Sequence, residues 1–340
     1  MSLHHTGYPT YIPIIKWQKF EQRALQGIGA ENYKEGIHPC IEVRTITQHK
    51  ELMAGLGKCW PGPALIDYAD PSGRLSNNRI AEFVAFLKHA GTRSYPLTPV
   101  IDPRDAESVK QQLLDHLEPF NRIALRSRLS GFSLQEEDLR LIGDAVASLI
   151  QPGRELQLIL DLGVSPASWE LQDVDNFVLQ LCELPWTSLA HVHLASGAFP
   201  LSLSEVTTAE FPRNDWKLWA DVNTRAKGLR LGYSDYGVVS PRWSEDALGK
   251  GIPHAAIRYT RDSDWLVLRA GGSKKEDSIA LSQILLTEYA DSFKGEDYSL
   301  GDHEIWIRGQ QGPMYNMRSG SNHISEGWIH HAAFVVKAQY

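Results

Sequence analysis

Charged residues fall repeatedly at the ends of short apolar runs: Lys16, Glu42, Arg44, Asp67, Asp70, Asp102, Arg126, Arg128, Asp161, His193 and Asp235. Carboxylates gathered in one place can hold a hard cation such as Mg²⁺. A cation beside Arg126 and Arg128 would suit a phosphorylated or otherwise anionic substrate. In that scheme Asp67 and Asp161 are the metal ligands, and Arg126, Arg128, His193 and Tyr233 touch the substrate. A carboxylate of raised pKa could instead be a general acid or base, which makes Lys16, Glu42, Asp102 and Asp235 the catalytic candidates. The rival reading is an ion network in which these charges neutralise one another, as buried charges must. Strand alternation sorts the faces. Arg126 and Arg128 share one with Ala124, a small residue that leaves space. Glu42 shares a face with Cys40, His193 with His191, and Asp235 with Tyr233.

Other motifs carry less. His191-Val192-His193 could offer both rings to one metal, but lies in a run with Leu189 and Leu194 and reads better as buried histidine. His330 and His331 are adjacent and would point apart. Gly232 and Gly237 bracket Tyr233-Ser234-Asp235-Tyr236, where they either cradle an anion or turn the chain. Cys59 precedes Trp60-Pro61-Gly62-Pro63 and nothing supports it as a reactive thiol. Trp17, Trp60, Trp186, Trp216, Trp219 and Trp243 lie near strand ends or loops, where they either stack on a base or sugar or fill gaps and interfaces. G-x-S-x-G, G-x-G-x-x-G and Walker A motifs are absent.

The elements that must position these groups recur through the first 240 residues. Apolar runs of six to nine residues begin at 11, 37, 63, 97, 122, 156, 189 and 229. They are rich in Ile, Leu and Val and read as buried parallel strands. Helical stretches lie between them: 77–91 with Ser76 or Asn77 as N-cap, 105–120 closed by Pro119, and a helix opened by a Ser133/Glu136 capping box and followed by Pro152-Gly153. Strands alternating with helices imply a parallel sheet. Eight units at this spacing predict an α/β fold, a (β/α)8 TIM-like barrel over 8–240 whose C-terminal strand ends carry the site. Residues 241–340 break the rhythm and read as a C-terminal elaboration. There, 252–260 and 264–272 form a hairpin around Arg261-Asp262-Ser263. An amphipathic helix over 274–293 could be the eighth barrel helix, 301–310 reads as a further short strand, and 325–338 alternates too little for a clear strand and suits a helix.

Composition bounds the function. The 340 residues carry 34 Lys and Arg against 41 Asp and Glu, a net −7, with 42% hydrophobic residues. That suits a globular protein and excludes disorder, collagen and a disulfide scaffold. No apolar run suggests a membrane span and the start resembles no secretory signal. Three scattered cysteines fit a reducing cytoplasm and no zinc spacing. The negative balance argues against broad nucleic-acid coating. The expected partner is a small anionic ligand or a protein, with homo- or hetero-oligomers left open, and any cofactor is unknown beyond a divalent cation such as Mg²⁺.

The opening YIPIIKWQKFEQRAL, through Tyr11, Pro13, Lys16, Glu21, Ala24 and Leu25, resembles the beta family of proteins, named after a bacteriophage T4 protein called beta. Pro39 and Glu42, Asp102-Pro103, Asp235-Tyr236-Gly237, His323 and His330-His331 extend the resemblance over roughly 8–335. It implies a barrel protein from phages, prophages or mobile islands, acting in phage–host conflict as anti-phage defence or superinfection exclusion. It supplies no catalytic residues. Two rivals stand beside that expectation: a metal-dependent hydrolase or lyase acting on a phosphorylated small molecule or nucleic acid, and a non-catalytic protein-binding subunit.

Overall fold

The computed structural model describes residues 11–31, 34–44, 49–70, 72–91, 96–204, 206–229, 231–242, 254–314 and 323–339. Trp243 and positions 252–253 of the expected hairpin lie outside the described residues. Two compact units account for the chain: 1–17, 35–197 and 214–235 in the first, and 18–34, 198–213 and 236–340 in the second. The second thus takes in 18–34, 198–213 and 236–240 from within the range that the sequence reads as barrel.

Strands of the first unit arise where the Ile-, Leu- and Val-rich runs bury both faces. They are β1 (Tyr11–Lys16), β2 (Cys40–Glu42), β3 (Ala64–Asp67), β4 (Leu97–Ile101), β5 (Arg122–Arg128), β6 (Glu155–Val164) and β7 (His191–Gly197). Next in the chain, β8 (Thr208–Pro212) belongs to the second unit, and β9 (Leu231–Asp235) returns between β7 and β1 to close a parallel eight-stranded barrel. All eight expected barrel strands form. Helix α1 (Lys19–Ala30) lies in the second unit. The first unit holds α2 (His49–Cys59), α3 (Asn77–Gly91), α4 (Ala106–Leu117), α5 (Glu136–Leu149), α6 (Leu171–Cys182) and α7 (Asn214–Arg225). Each lays an apolar stripe inward; α3 buries Ile80, Phe83, Phe86, Leu87 and Ala90. The cap of α5 differs from the expected one. Gln135, not Ser133, is the N-cap, and its backbone N–H donates to Asp138 Oδ2 at 3.0 Å, because the helix starts at Glu136 and its third position is Asp138.

In the second unit β10 (Ala256–Thr260) and β11 (Asp264–Arg269) form the expected hairpin, and β8 adds to the far side of β11, all antiparallel. The Arg261 N–H to Asp264 O bond of 2.8 Å closes the turn. Residues 274–293 give α8 (Lys275–Thr287), which belongs to this unit. Residues 301–310 are helix, not strand: α9 (Leu300–Gln311) is capped by Ser299, whose Oγ accepts from Asp302 N at 3.2 Å. Two isoleucines two apart imitate a strand there, but Ile305 and Arg308 bury at helical spacing. The last helix, α10 (His323–Phe334), is buried on almost every side. Ile257, Tyr259, Leu266, Leu268, Leu281, Leu285 and Ile305 make this unit's apolar core. Among the described residues no helix is long and apolar enough to cross a membrane.

Candidate functional site

Parallel register sets the first row of charges. Lys16 pairs with Glu42, and Glu42 with Asp67, so three neighbouring strands present them side by side. Across the barrel Arg128 pairs with Asp161. Arg126 lies at the centre, fully buried. Its Nη1 donates to Glu42 Oε1 at 2.9 Å and Asp67 Oδ2 at 2.6 Å, and its Nε and Nη2 reach Asp161 Oδ2 at 2.9 and 2.7 Å. The guanidinium therefore stands between the two carboxylates that the sequence offers to a metal. Among the described residues no group of three or more His, Cys, Asp or Glu is arranged to hold a metal ion.

Outward from this centre the arginines become progressively accessible. Arg44 donates to Glu42 Oε1 at 2.6 Å and to the Asp70 carbonyl. Arg128 reaches Asp67 Oδ2 at 2.5 Å and Asp102 Oδ2 at 3.3 Å. Arg104 grips Asp102 with two bonds, Nε to Oδ1 at 2.8 Å and Nη2 to Oδ2 at 2.7 Å. Arg74 Nε binds Asp105 Oδ1 at 2.7 Å. Side-chain exposure climbs from 0% for Arg126 through 7% for Arg44, 15% for Arg128 and 34% for Arg104 to 47% for Arg74.

Glu42 and Asp67 are held as anions. Burial pushes Glu42 up, but Arg44 and Arg126 outweigh it and bring its pKa down to about 2. At Asp67 burial is likewise outweighed, by Arg128, Arg126 and Arg44, and the carboxyl falls well below its usual range. Burial drives the neighbouring Cys40 thiol far upward, which leaves it unreactive.

His193 is buried beside Gly232, where any side chain would meet the imidazole at 2.2 Å. Its ring centre is 5.7 Å from that of His191, on the shared face. Tyr233 and Asp235 share a face as expected, but the face is a different one from that of Arg126. Tyr233 is in register with Tyr11, and the two rings stack at 5.7 Å. Asp235 accepts from Tyr11 Oη at 2.5 Å and Tyr233 Oη at 2.8 Å, and Tyr233 Oη also lies 2.8 Å from Asp215 on α7. Trp216 and Trp219 of α7 pack on Tyr233 as well. This is the helix-facing side of β9, whereas Ser234, with Oγ 2.5 Å from Ile12 O, alternates to the other side. The structure thus joins Glu42, Asp67, Asp102, Arg126, Arg128 and Asp161, with Lys16 in register, and sets Tyr233 and Asp235 apart. Sequence reasoning passed over Arg74, Arg104 and Asp105, which lie just past strand ends; the D-P-R-D run after β4 was the available signal.

A closed parallel barrel with a charged constellation at its C-terminal strand ends defines a protein of the (β/α)8 class. Residues 11–337 match the family model described as Beta protein, and the chain belongs to that family. No curated protein matches. Solved structures similar to it include a trimodular endoglucanase of the GH5_4 subfamily, at 9% identity and TM-score 0.39, covering 74% of this chain and 67% of that one. A chitinase from Chromobacterium violaceum aligns at 10% identity and TM-score 0.36 over 91% and 100% of the two chains. A GH18 chitinase from Flavobacterium johnsoniae aligns at 7% identity and TM-score 0.26 over 56% and 54%.

Proposed function

We propose that this chain is a barrel protein of phage–host conflict that binds an anionic ligand at the C-terminal mouth of its barrel. Membership of the Beta protein family supports the biological setting. The observation that carries the chemistry is the graded series of arginines, from Arg126 tied at the centre to Arg128 and Arg104 reaching solvent, each backed by a carboxylate. Guanidinium groups so anchored are preorganised to receive an anion. At Glu42, binding fits better than acid–base turnover. A general acid or base needs a pKa near the working pH, and Glu42 at about 2 lies far below it.

Thermal shift of the purified chain against a panel of small anions tests the chemistry, with Arg104→Gln as the comparison. A melting point raised by an anion in the native chain and not in the variant supports the reading; a panel with no effect contradicts it. Plating efficiency of a phage panel on cells expressing the chain tests the setting. Reduced plating that Arg104→Gln relieves agrees, and equal plating throughout removes that part of the proposal.

A further inference from the structure

The part of the mouth above β3, β4 and β5 is more specific than a general positive rim. Two guanidiniums meet on the loop after β3, and a third meets the backbone after β4. Arg128 Nη1 lies 3.3 Å and Arg104 Nη2 3.4 Å from the same carbonyl, that of Gly73. Arg74 Nη2 lies 3.4 Å from the carbonyl of Arg104. Gly73 makes this approach possible. It sits at φ +80°, and a Cβ there would meet Arg128 Cδ at 2.6 Å and Arg104 Nη2 at 3.4 Å. The loop itself is fixed by Asp70, whose Oδ1 accepts from the backbone N–H groups of Ser72 at 2.8 Å and Arg74 at 3.2 Å.

The donors are unevenly used. Arg104 commits Nε and Nη2 to Asp102 and Gly73, and Arg74 commits Nε and Nη2 to Asp105 and Arg104. Among the described residues Nη1 of each makes no hydrogen bond, and both side chains are at least one-third exposed. A guanidinium carries five N–H donors, so each keeps the two N–H groups of its Nη1 in hand while its own aspartate holds the group still.

We infer that Arg104 and Arg128, which meet on Gly73, together with Arg74, which meets Arg104, form a seat for a phosphate or pyrophosphate group of a small molecule. This rests on the proposed reading of the mouth as an anion site and names the anion. Planar carboxylates already take the fork-shaped edges of these arginines. The donors that remain belong to different guanidiniums arriving from different strand ends, and a tetrahedral, many-oxygened anion spans them where a single planar carboxylate does not. The overall charge of −7 disfavours a long polyanion and leaves a small ligand.

Titration calorimetry of the full chain at low salt with inorganic pyrophosphate, and in parallel with malonate, tests this. Saturable one-to-one binding of pyrophosphate is expected, weakened about tenfold or more in Arg104→Gln, the size of one lost charged hydrogen bond. Gly73→Val should weaken it too by displacing Arg128, while Arg140→Gln, which alters an exposed ion pair on α5, should leave it unchanged. Malonate binding that depends on Arg104, with no pyrophosphate binding, would overturn the phosphate assignment and spare the anion site. Absence of both, or equal loss in Arg140→Gln, would overturn both.

Discussion

Arg126 distributes one positive charge among Glu42, Asp67 and Asp161 in a space closed to water. Removing it takes one cation from three buried carboxylates, of which Glu42 keeps Arg44 and Asp67 keeps Arg128. Arg126→Ala should therefore lose about 3–5 kcal/mol, the range for a broken buried pair, read as a lower urea midpoint, whereas Arg140→Ala, which removes only exposed ion pairs on α5, should change stability little. Equal small losses would mean that the centre is not a dry ion network. The same network sets an acid limit. Glu42 titrates at about 2 in the folded chain against an ordinary 4.5, so the unfolded chain takes up the proton first. Its contribution is complete above 4.5 and fades as the pH falls towards 2. Stability measured across that window should slope steeply, and Glu42→Gln should flatten the slope; an unchanged slope would count against the assignment. These residues were readable because strand parity puts Glu42, Asp67, Arg126 and Asp161 on matching faces. Parity does not say which face is inner, which is why Tyr233 and Asp235 seemed to belong with them. Arg74 and Arg104 follow strands in loops that have no period to read.

At the scale of elements, α10 is unusual in burying its polar residues. His330 Nε2 lies 2.9 Å from the Thr260 carbonyl and Nδ1 2.9 Å from Asp302 Oδ2. A carbonyl only accepts, so Nε2 carries a proton. Burial raises the Asp302 carboxyl, but His330 and the hydroxyls of Ser299 and Tyr259 outweigh that and hold it below its usual range. Tyr259 Oη, 2.6 Å from Asp302 Oδ1, completes the clasp between α9, α10 and β10. Asp302→Asn should cost about 1–3 kcal/mol by leaving buried hydrogen-bond partners at His330, Ser299 and Tyr259 unsatisfied, measured by denaturant unfolding; an unchanged stability would refute the clasp. Packing at the same crossing is equally tight. A Cβ on Gly301 would lie 2.4 Å from the backbone oxygen of Glu326, an atom that cannot swing aside. Gly301→Ala should lower stability by about 1–3 kcal/mol, and a melting point equal to the native one would refute the close approach. Little of this was visible in the sequence. Residues 301–310 place isoleucines two apart and suggest a strand, and a fully buried helix such as α10 has no polar face to reveal its period.

For the whole molecule, the barrel was the legible part. Eight apolar runs each bury both faces, and that requirement writes a rhythm into the chain that composition alone could not supply. The second unit is assembled from three separated segments, and nothing local in 18–34 or 198–213 announces their grouping with the last hundred residues. Function sits between these cases. The charges at the mouth could be found, but their pairing, and the donors left over after pairing, depend on distances that strand order sets. The central claim is that those leftover donors receive a phosphate-type anion. A crystal structure of the chain grown with sodium pyrophosphate tests it most directly. The account predicts the anion over Gly73, with oxygens about 2.7–3.2 Å from Arg104 Nη1 and Arg74 Nη1 while Asp102 and Asp105 keep their arginines. A mouth unchanged at saturating pyrophosphate, or an anion bound only elsewhere, would contradict it.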